Sequence, residues 1–380
     1  FTSIYRHFRE RLPFGAIQTG KGYRNEISPR QGMIRLREFN MAELEYFIDP
    51  EATPEHDFSS WTDAVNLIAD GKGEVQLTFQ QAVEDGVIRH PTVGYFMALT
   101  MDFLLSVGIN PEGLRFRQHE SNEMAHYAQD CWDAEILGSY GWIECVGIAH
   151  RGCYDLSAHE EATGQKLRAW RKFKEPKLVQ VDGWTIDGSK AGPAFRALAN
   201  KVKEYVENLD AEVSFPMITS IDGQEFEILS EHVKRVKKTE NVTGEWYVPH
   251  VVEPAFGIDR IIWHLLDHSY NETKKEGEDY TLLSIPSTVA PIDVAVLPLS
   301  EKDGMQDLAE TIHRTLCGKK GVFSVYDASG SIGRRYARAD EIGVPFCITV
   351  DNQSLSDNTV TLRDRDTREQ IRLNIDELPF

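Results

Sequence analysis

Guanidinium and carboxylate groups alternate near the start of this chain. The first stretch is Tyr23-Arg24-Asn25-Glu26-Ile27-Ser28-Pro29-Arg30, and the second is Ile34-Arg35-Leu36-Arg37-Glu38-Phe39. Ser28-Pro29 and Gly32 supply a break between them, which predicts two extended segments joined by a polar turn. Strands that carry Arg24 with Glu26, or Arg35 and Arg37 with Glu38 and Glu43, cannot build an apolar core. They line a polar floor, and the planar fork of arginine suits phosphate and carboxylate. Taken alone, a salt-bridged surface hairpin is the plainer reading.

Two later stretches carry charge in places that need explaining. Trp132-Asp133-Ala134-Glu135 and Tyr140 to Ile148 read as a strand pair turning at Gly138, with Glu144 inside the second strand. A carboxylate there needs either water or a partner, because burying it alone is costly. Further on, an apolar strand runs through Val251-Val252 into Glu253-Pro254-Ala255. Gly257 permits a tight junction, and a helix is expected near Asp259, with Ile261, Ile262, Leu265 and Leu266 on its inner face. Arg260 falls in the first turn of that helix, where a cation opposes the helix dipole and calls for an anionic or aromatic partner.

The elements around these stretches follow from periodicity and punctuation. Residues 2–12 predict an amphipathic helix closed by Pro13, and residues 92–107 a helix that ends before Gly108. Residues 58–90 have weak periodicity and read as a small insertion. Residues 160–248 change character. Lys166, Arg168, Arg171, Lys172, Lys174 and Lys177 surround Trp170 and Phe173, a pattern that suits RNA as readily as a solvated strand. A helix is expected over 193–207 and a short basic run over Val233–Lys238. From 291 onward, strand and helix alternate: strands 292–297, 322–326, 345–350, 359–364 and 370–374, with helices 303–317 and 333–341. That pattern predicts a compact α/β domain with a mixed sheet. Within it, the glycines of Gly330-Ser331-Ile332-Gly333 precede a helix and could cradle a phosphate, while Arg363, Arg365 and Arg368 suggest a basic rim.

Length and composition set the bounds. The chain of 380 residues has room for two or three domains, and its formal net charge of −19 argues against strong non-specific binding to nucleic acid. No apolar run approaches the roughly 18 residues of a membrane span, and no signal-peptide pattern is present. Five cysteines without CxxC spacing argue against a disulfide framework or a structural zinc site and for a reducing, cytoplasmic setting. Phe1 is not a natural start.

The Arg-x-Glu, turn and Arg-Glu-Phe run resembles the second signature motif of class II aminoacyl-tRNA synthetases. Read at full length, with Asn40-Met41-Ala42-Glu43 following, it resembles more narrowly the glycyl-tRNA synthetases of the archaeal and eukaryotic type. Tyr247–Leu266 is similar to the third class II motif, and Gly330–Arg338 to the anticodon-binding domain shared by the glycyl, histidyl, threonyl and prolyl synthetases. The resemblance implies a class II antiparallel sheet with flanking helices and a C-terminal α/β anticodon-binding domain. It divides the chain into a catalytic core over 1–159 (with the small insertion 58–90), an insertion over 160–246, the core continued over 247–290, and the anticodon-binding domain over 291–380.

The implied activity is ligation of glycine to tRNA(Gly) through glycyl-adenylate, by a cytoplasmic homodimer using ATP and Mg²⁺, with no membrane association. Arg24, Glu144 and Arg260 would be catalytic. Arg24, Asn25, Glu26, Arg35, Leu36, Phe39, Glu144, Cys145 and Arg260 would bind ATP, with Phe39 and Arg260 sandwiching adenine. Glu144 would hold magnesium, and Glu43, Arg151, Glu253, Pro254 and Ala255 would bind glycine. Two departures are expected to matter. Ala255 stands where the family has serine, and the family's first motif and the segment completing its glycine pocket belong upstream of Phe1. The alternative is a non-catalytic RNA-binding or accessory subunit descended from a synthetase. Intact Arg24, Glu26, Glu144 and Arg260 argue against it, because such a descendant has no need of phosphate ligands.

Overall fold

The computed structural model describes every residue except 30, 121–122, 124–127 and 276–277; Arg30 of the first charged stretch therefore lies outside it. Helix α1 (Thr2–His7) is shorter than the helix expected over residues 2–12. Arg9 and Glu10 take positive φ, and the resulting turn stacks Phe8 on Phe14, 5.1 Å away. Strands β1 (Phe14–Tyr23) and β2 (Glu38–Ile48) pair antiparallel from Phe14 opposite Phe47 to Tyr23 opposite Glu38. The ladder stops there. Arg24, Asn25, Glu26, Arg35, Leu36 and Arg37 consequently lie in the connecting loop and not on strands, as their alternation had suggested. Pro29 lacks a ladder donor, and Gln31 and Gly32 (φ 71° and 58°) turn the chain into a short 3₁₀ segment, Gly32–Ile34. One bond, from the Arg24 N–H to the Arg37 carbonyl at 2.9 Å, closes the neck of the loop.

Residues 58–90 supply a hairpin, β3 (Val65–Ala69) and β4 (Gly73–Leu77), followed by α2 (Phe79–Glu84) with a Thr78–Gln81 capping box. Helix α3 (Pro91–Ser106) opens with proline in its first turn, and its His90 cap accepts the Thr92 N–H. Then come β5 (Leu114–Gln118), β6 (Asp130–Gly138), β7 (Gly141–Gly152) and α4 (Tyr154–Thr163).

Residues 165–248 are a compact unit of their own. It contains the long antiparallel pair β8 (Ala169–Ile186) and β11 (Val233–Tyr247), with α5 (Gly188–Phe195), α6 (Ala199–Glu207) and the hairpin β9 (Met217–Ile221)–β10 (Gln224–Ile228) between them. The single helix expected over 193–207 is broken at Arg196, whose φ is 45°. The aromatics of the basic run are engaged inside the unit: Trp170 meets Trp246, Phe173 lies under Lys177, and Arg171 covers Tyr247 while pairing with Glu245.

Strand β12 (His250–Gly257) and helix α7 (Ile258–Ser269) complete the main sheet, whose order is β1-β2-β12-β7-β6-β5-β3-β4. It is antiparallel except between β3 and β5, which are joined by a crossover containing α3. Alternation along the strands sorts the two faces. Phe116, Trp132, Ala134, Val146, Ile148 and Val252 enter the core. Arg117, Asp133, Gly147, Ala149, Glu253 and Ala255 occupy the alternate positions, and that opposite face is polar.

The hairpin β13 (Tyr270–Lys275)–β14 (Glu278–Leu283) leads to a five-stranded mixed sheet. Its elements are β15 (Val294–Pro298), α8 (Met305–Cys317), β16 (Ser324–Tyr326), α9 (Ile332–Glu341), β17 (Phe346–Val350), α10 (Ser354–Asp357), β18 (Thr359–Asp364) and β19 (Gln370–Asn374). Strands β16, β15 and β17 are parallel, and the rest antiparallel. The basic rim expected here does not form as read. Arg363 is buried and grips Asp340 with two bonds of 2.8 Å, and Asp340 also accepts from the Tyr280 hydroxyl. Arg365, 1% exposed, donates to the carbonyls of Gly343 and Ile285. Both guanidinium groups serve the fold, because a buried cation must be paired. Only Arg368 of the three is exposed. No described helix is long and apolar enough to cross a membrane.

Candidate active site

A cleft opens on the polar face, between the 24–37 loop, β2, β7, β12 and the start of α7. It brings together Arg24, Glu26, Arg35, Leu36, Phe39, Glu144, Cys145, Ala255 and Arg260 from the sequence-derived set. Asn25 does not line it. Glu43, Arg151 and Glu253 lie further along the same sheet face, beyond the cleft lining. Pro254 is buried and takes the alternate, core-side position on β12, so the backbone of that residue is what the polar face offers.

Arg260 is the best-anchored cation of the cleft. Its Nε donates to the Ile34 carbonyl at 3.0 Å and one terminal nitrogen to the Glu144 carbonyl at 2.6 Å. The Glu144 carboxylate stands 3.5 Å away, so the cation that opposes the α7 dipole has its anion. Gly257 makes this junction possible, since a Cβ there would lie 3.2 Å from the Cys145 carbonyl. The Cys145 thiol faces the core and burial pushes it up to about 12, which leaves its backbone for the cleft. Arg24 has its guanidinium 5.9 Å from the centre of the Phe39 ring. That ring lies against Gly22, where a Cβ would collide with it at 2.5 Å.

Sequence reading missed the clasp beneath these groups. Buried Asp259, in the first turn of α7, accepts from the Asn40 N–H at 2.6 Å and its side-chain amide at 2.9 Å. This ties β2 to α7. The available signal was an acidic residue in a first helical turn, where it suits the dipole. Met33, Met41, Gly147 and Phe256 also line the cleft unannounced.

Further along the face, Arg151 donates to Asp155 at 2.7 Å and to Glu253 at 3.0 Å. Burial pushes the Glu253 carboxyl up, Arg151 pulls it down, and Glu43 and Glu45 push it up again. Glu43 sits opposite Ala255 in register, so Glu43 and Glu253 form an acidic corner with a deficit of positive charge. A small ammonium arriving there would relieve the repulsion. Beside it, His119, Cys131 and Asp133 offer donor atoms within 4.8 Å of one another. His119 Nε2 donates to Asp133 at 2.8 Å, and this bond, then the Cys131 contact, raise the imidazole to about 10. The Asp133 carboxylate thus has a proton donor in His119.

The chain matches a family model described as the tRNA synthetase class II core domain (G, H, P, S and T) over residues 1–269, and one described as the anticodon binding domain over residues 293–379. The glycine–tRNA ligases of the archaea Methanocaldococcus jannaschii and Archaeoglobus fulgidus are each 46% identical to it, and that of Methanococcus vannielii 44%. The alignments take in 100%, 100% and 99% of this chain, and 68%, 67% and 69% of those proteins. The chain belongs to the glycine–tRNA ligases. As a glycine–tRNA ligase it is a class II synthetase and uses ATP, and its five-stranded C-terminal sheet corresponds to the anticodon-binding region.

Proposed function

We propose that this ligase makes glycyl-adenylate in this cleft and its acidic extension, and passes the glycyl group to tRNA(Gly). The observation that carries the reading is the juxtaposition of Arg24, Phe39 and Arg260 at one end of the polar face with the Glu43–Glu253 corner at the other. The glycine carboxylate attacks the α-phosphorus of ATP, the bond to pyrophosphate breaks, and negative charge grows on the phosphorus oxygens. Arg24 stabilises that charge, with Asn25, Glu26, Arg35 and Leu36 positioning the nucleotide. Phe39 and Arg260 hold adenine between a ring and a cation. Glu43 and Glu253 take the ammonium, and Arg151 fixes Glu253. Ala255, in register with both Glu43 and Gly147, forms part of the wall beside the α-carbon. A hydroxyl of the terminal adenosine of the tRNA then attacks the carbonyl carbon and releases AMP.

The donor set fits magnesium. Mg²⁺ prefers one or two carboxylates together with phosphate oxygens. Glu144 offers an exposed carboxylate at the cleft wall and Cys145 a backbone carbonyl. The ion would supply charge neutralisation for the pyrophosphate. The reading takes residues 1–159 and 247–290 as the catalytic core, 160–246 as an insertion and 291–380 as the RNA-binding end of a homodimer. Free cysteines at all five positions support a reducing, cytoplasmic setting.

The test is glycine-dependent ATP–pyrophosphate exchange by the full-length protein, with alanine and serine as controls and both substrates varied. Glu43→Gln is expected to raise the KM for glycine about tenfold or more, the scale of one charge-assisted contact, while the KM for ATP stays put. A raised ATP KM alone would move Glu43 to the nucleotide.

A further inference from the structure

Glycine has no side chain to grip, so a pocket for it must end where a β-carbon substituent would begin. The strand registers show what stands there. One row across the polar face runs Glu43, Ala255, Gly147, Asp133, Arg117 on β2, β12, β7, β6 and β5. The next runs Glu253, Ala149, Cys131, and the His119 N–H bonds to the Cys131 carbonyl beyond it. Neighbouring strands lie about 4.8 Å apart, so β12 and β6 flank a trough roughly two strand spacings wide. Its floor on β7 is Gly147 and Ala149, which project a hydrogen and a methyl. One side is the acidic corner. The other is the cluster of Asp133, His119 and Cys131. A Cβ on Gly147 would lie 3.8 Å from an Asp133 carboxylate oxygen, which places Asp133 directly beside the floor.

This second side is braced. His119 donates to Asp133, whose side chain is 5% exposed, and Arg117 reaches Asp133 at 3.7 Å, Glu135 at 3.2 Å and Glu123 at 2.9 Å. We propose that the His119–Asp133–Cys131 cluster, held by Arg117, is the wall of the amino-acid trough and sets the selectivity of this ligase against alanine and serine. The proposal rests on the assignment of Glu43 and Glu253 to the glycine ammonium.

The choice of a charged wall has a physical reason. An apolar wall can repack around one extra methyl, and such pockets discriminate a methylene by only about 1–3 kcal/mol. A hydrogen-bonded ion pair cannot yield without losing its bond. A methyl pressed against it would also strip its water and offer no hydrogen bond in return. The hydrogen bond to Asp133 pushes the His119 imidazole up to about 10, which favours the charged, bonded state of this wall.

The experiment is steady-state ATP–pyrophosphate exchange by the full-length enzyme with glycine, alanine or serine. His119→Ala is expected to raise the alanine-to-glycine ratio of kcat/KM about tenfold or more while the KM for ATP is unchanged. His119→Gln, which can still donate to Asp133, is expected to restore most of the discrimination. A structural role alone would lower all three activities together and leave the ratio untouched. If His119→Ala does not fold, Cys131→Ala trims the same wall by one sulfur and is expected to move the ratio severalfold. An active wall variant with the wild-type ratio overturns the inference. Glu43→Gln, run in parallel, separates the failures: a raised glycine KM with an unmoved wall ratio sinks the wall alone, whereas an unaltered glycine KM sinks the underlying site assignment.

Discussion

The arginines of the cleft and those of the C-terminal sheet look alike as sequence and differ as chemistry. Arg24 and Arg35 are exposed at the cleft, and among the described residues their guanidinium groups meet no carboxylate. Arg363 and Arg365 are 4% and 1% exposed, and their donors are committed to Asp340, Asp366 and backbone carbonyls. An arginine with unused donors facing a cleft is available to a phosphate. One whose donors are all met internally is a bolt. Arg260 stands between the two kinds: its Nε and one terminal nitrogen hold the Ile34 and Glu144 carbonyls, and its plane borders the cleft.

The sharpest way to break this comparison is to remove one arginine of each kind. Arg363→Ala strands Asp340 in the core and is expected to cost about 3–5 kcal/mol, read as loss of the C-terminal sheet's unfolding transition in urea. If that transition stayed put, the pair would be ornamental. Arg24→Ala is expected to leave the melting temperature alone and to lower adenylate formation about 10²–10³-fold, the effect of losing one transition-state donor. Equal exchange rates in mutant and parent would remove Arg24 from the phosphate site.

A smaller effect sharpens the idea of unmet donors. His90 and His150 stack 4.5 Å apart near His250, and His150 Nε2 is buried with no hydrogen-bond partner among the described residues. Burial first, then the neighbouring imidazoles, push His90 down to about 4 and His150 to about 3. Burial lowers His250 as well, against a raising pull from Asp49. An imidazole whose folded value lies below its unfolded value binds fewer protons when folded. Its contribution to stability is complete above about 6.5 and is lost as pH falls towards 4. Melting temperature is expected to drop by several degrees from pH 7 to pH 4.5, and His150→Phe to flatten that slope. A slope equal to the parent's would assign the acid sensitivity elsewhere.

What the sequence disclosed follows the same line between local and distant constraint. The β12–α7 unit was legible because Gly257, the apolar spacing of Ile261, Ile262, Leu265 and Leu266, and the placement of Arg260 are local signals. The alternation of strand and helix after residue 291 was legible for the same reason. The positions of Arg24 and Arg37 were misread as strand because charge alternation has the same period as a strand, and only the φ of Gln31 and Gly32 reveals the loop. The burial of Arg363 and Arg365 was hidden, since their partners Asp340, Gly343 and Ile285 are 22 to 80 residues away. The Asn40–Asp259 clasp spans 219 residues, and no window of sequence contains both ends.

That separation also sets a schedule for synthesis. Strand β2 pairs with β12 in the finished sheet, Glu43 opposite Ala255, yet β12 leaves the ribosome some two hundred residues later. At roughly 5–20 residues per second, the clasp's two ends emerge roughly ten to forty seconds apart. Through that interval one edge of β2 has only water for a partner, and an unpaired edge is a template for the wrong chain. The carboxylates at Glu38, Glu43 and Glu45 stand on that waiting strand. Like charges repel, so these carboxylates oppose pairing of the waiting edge with a second copy of itself.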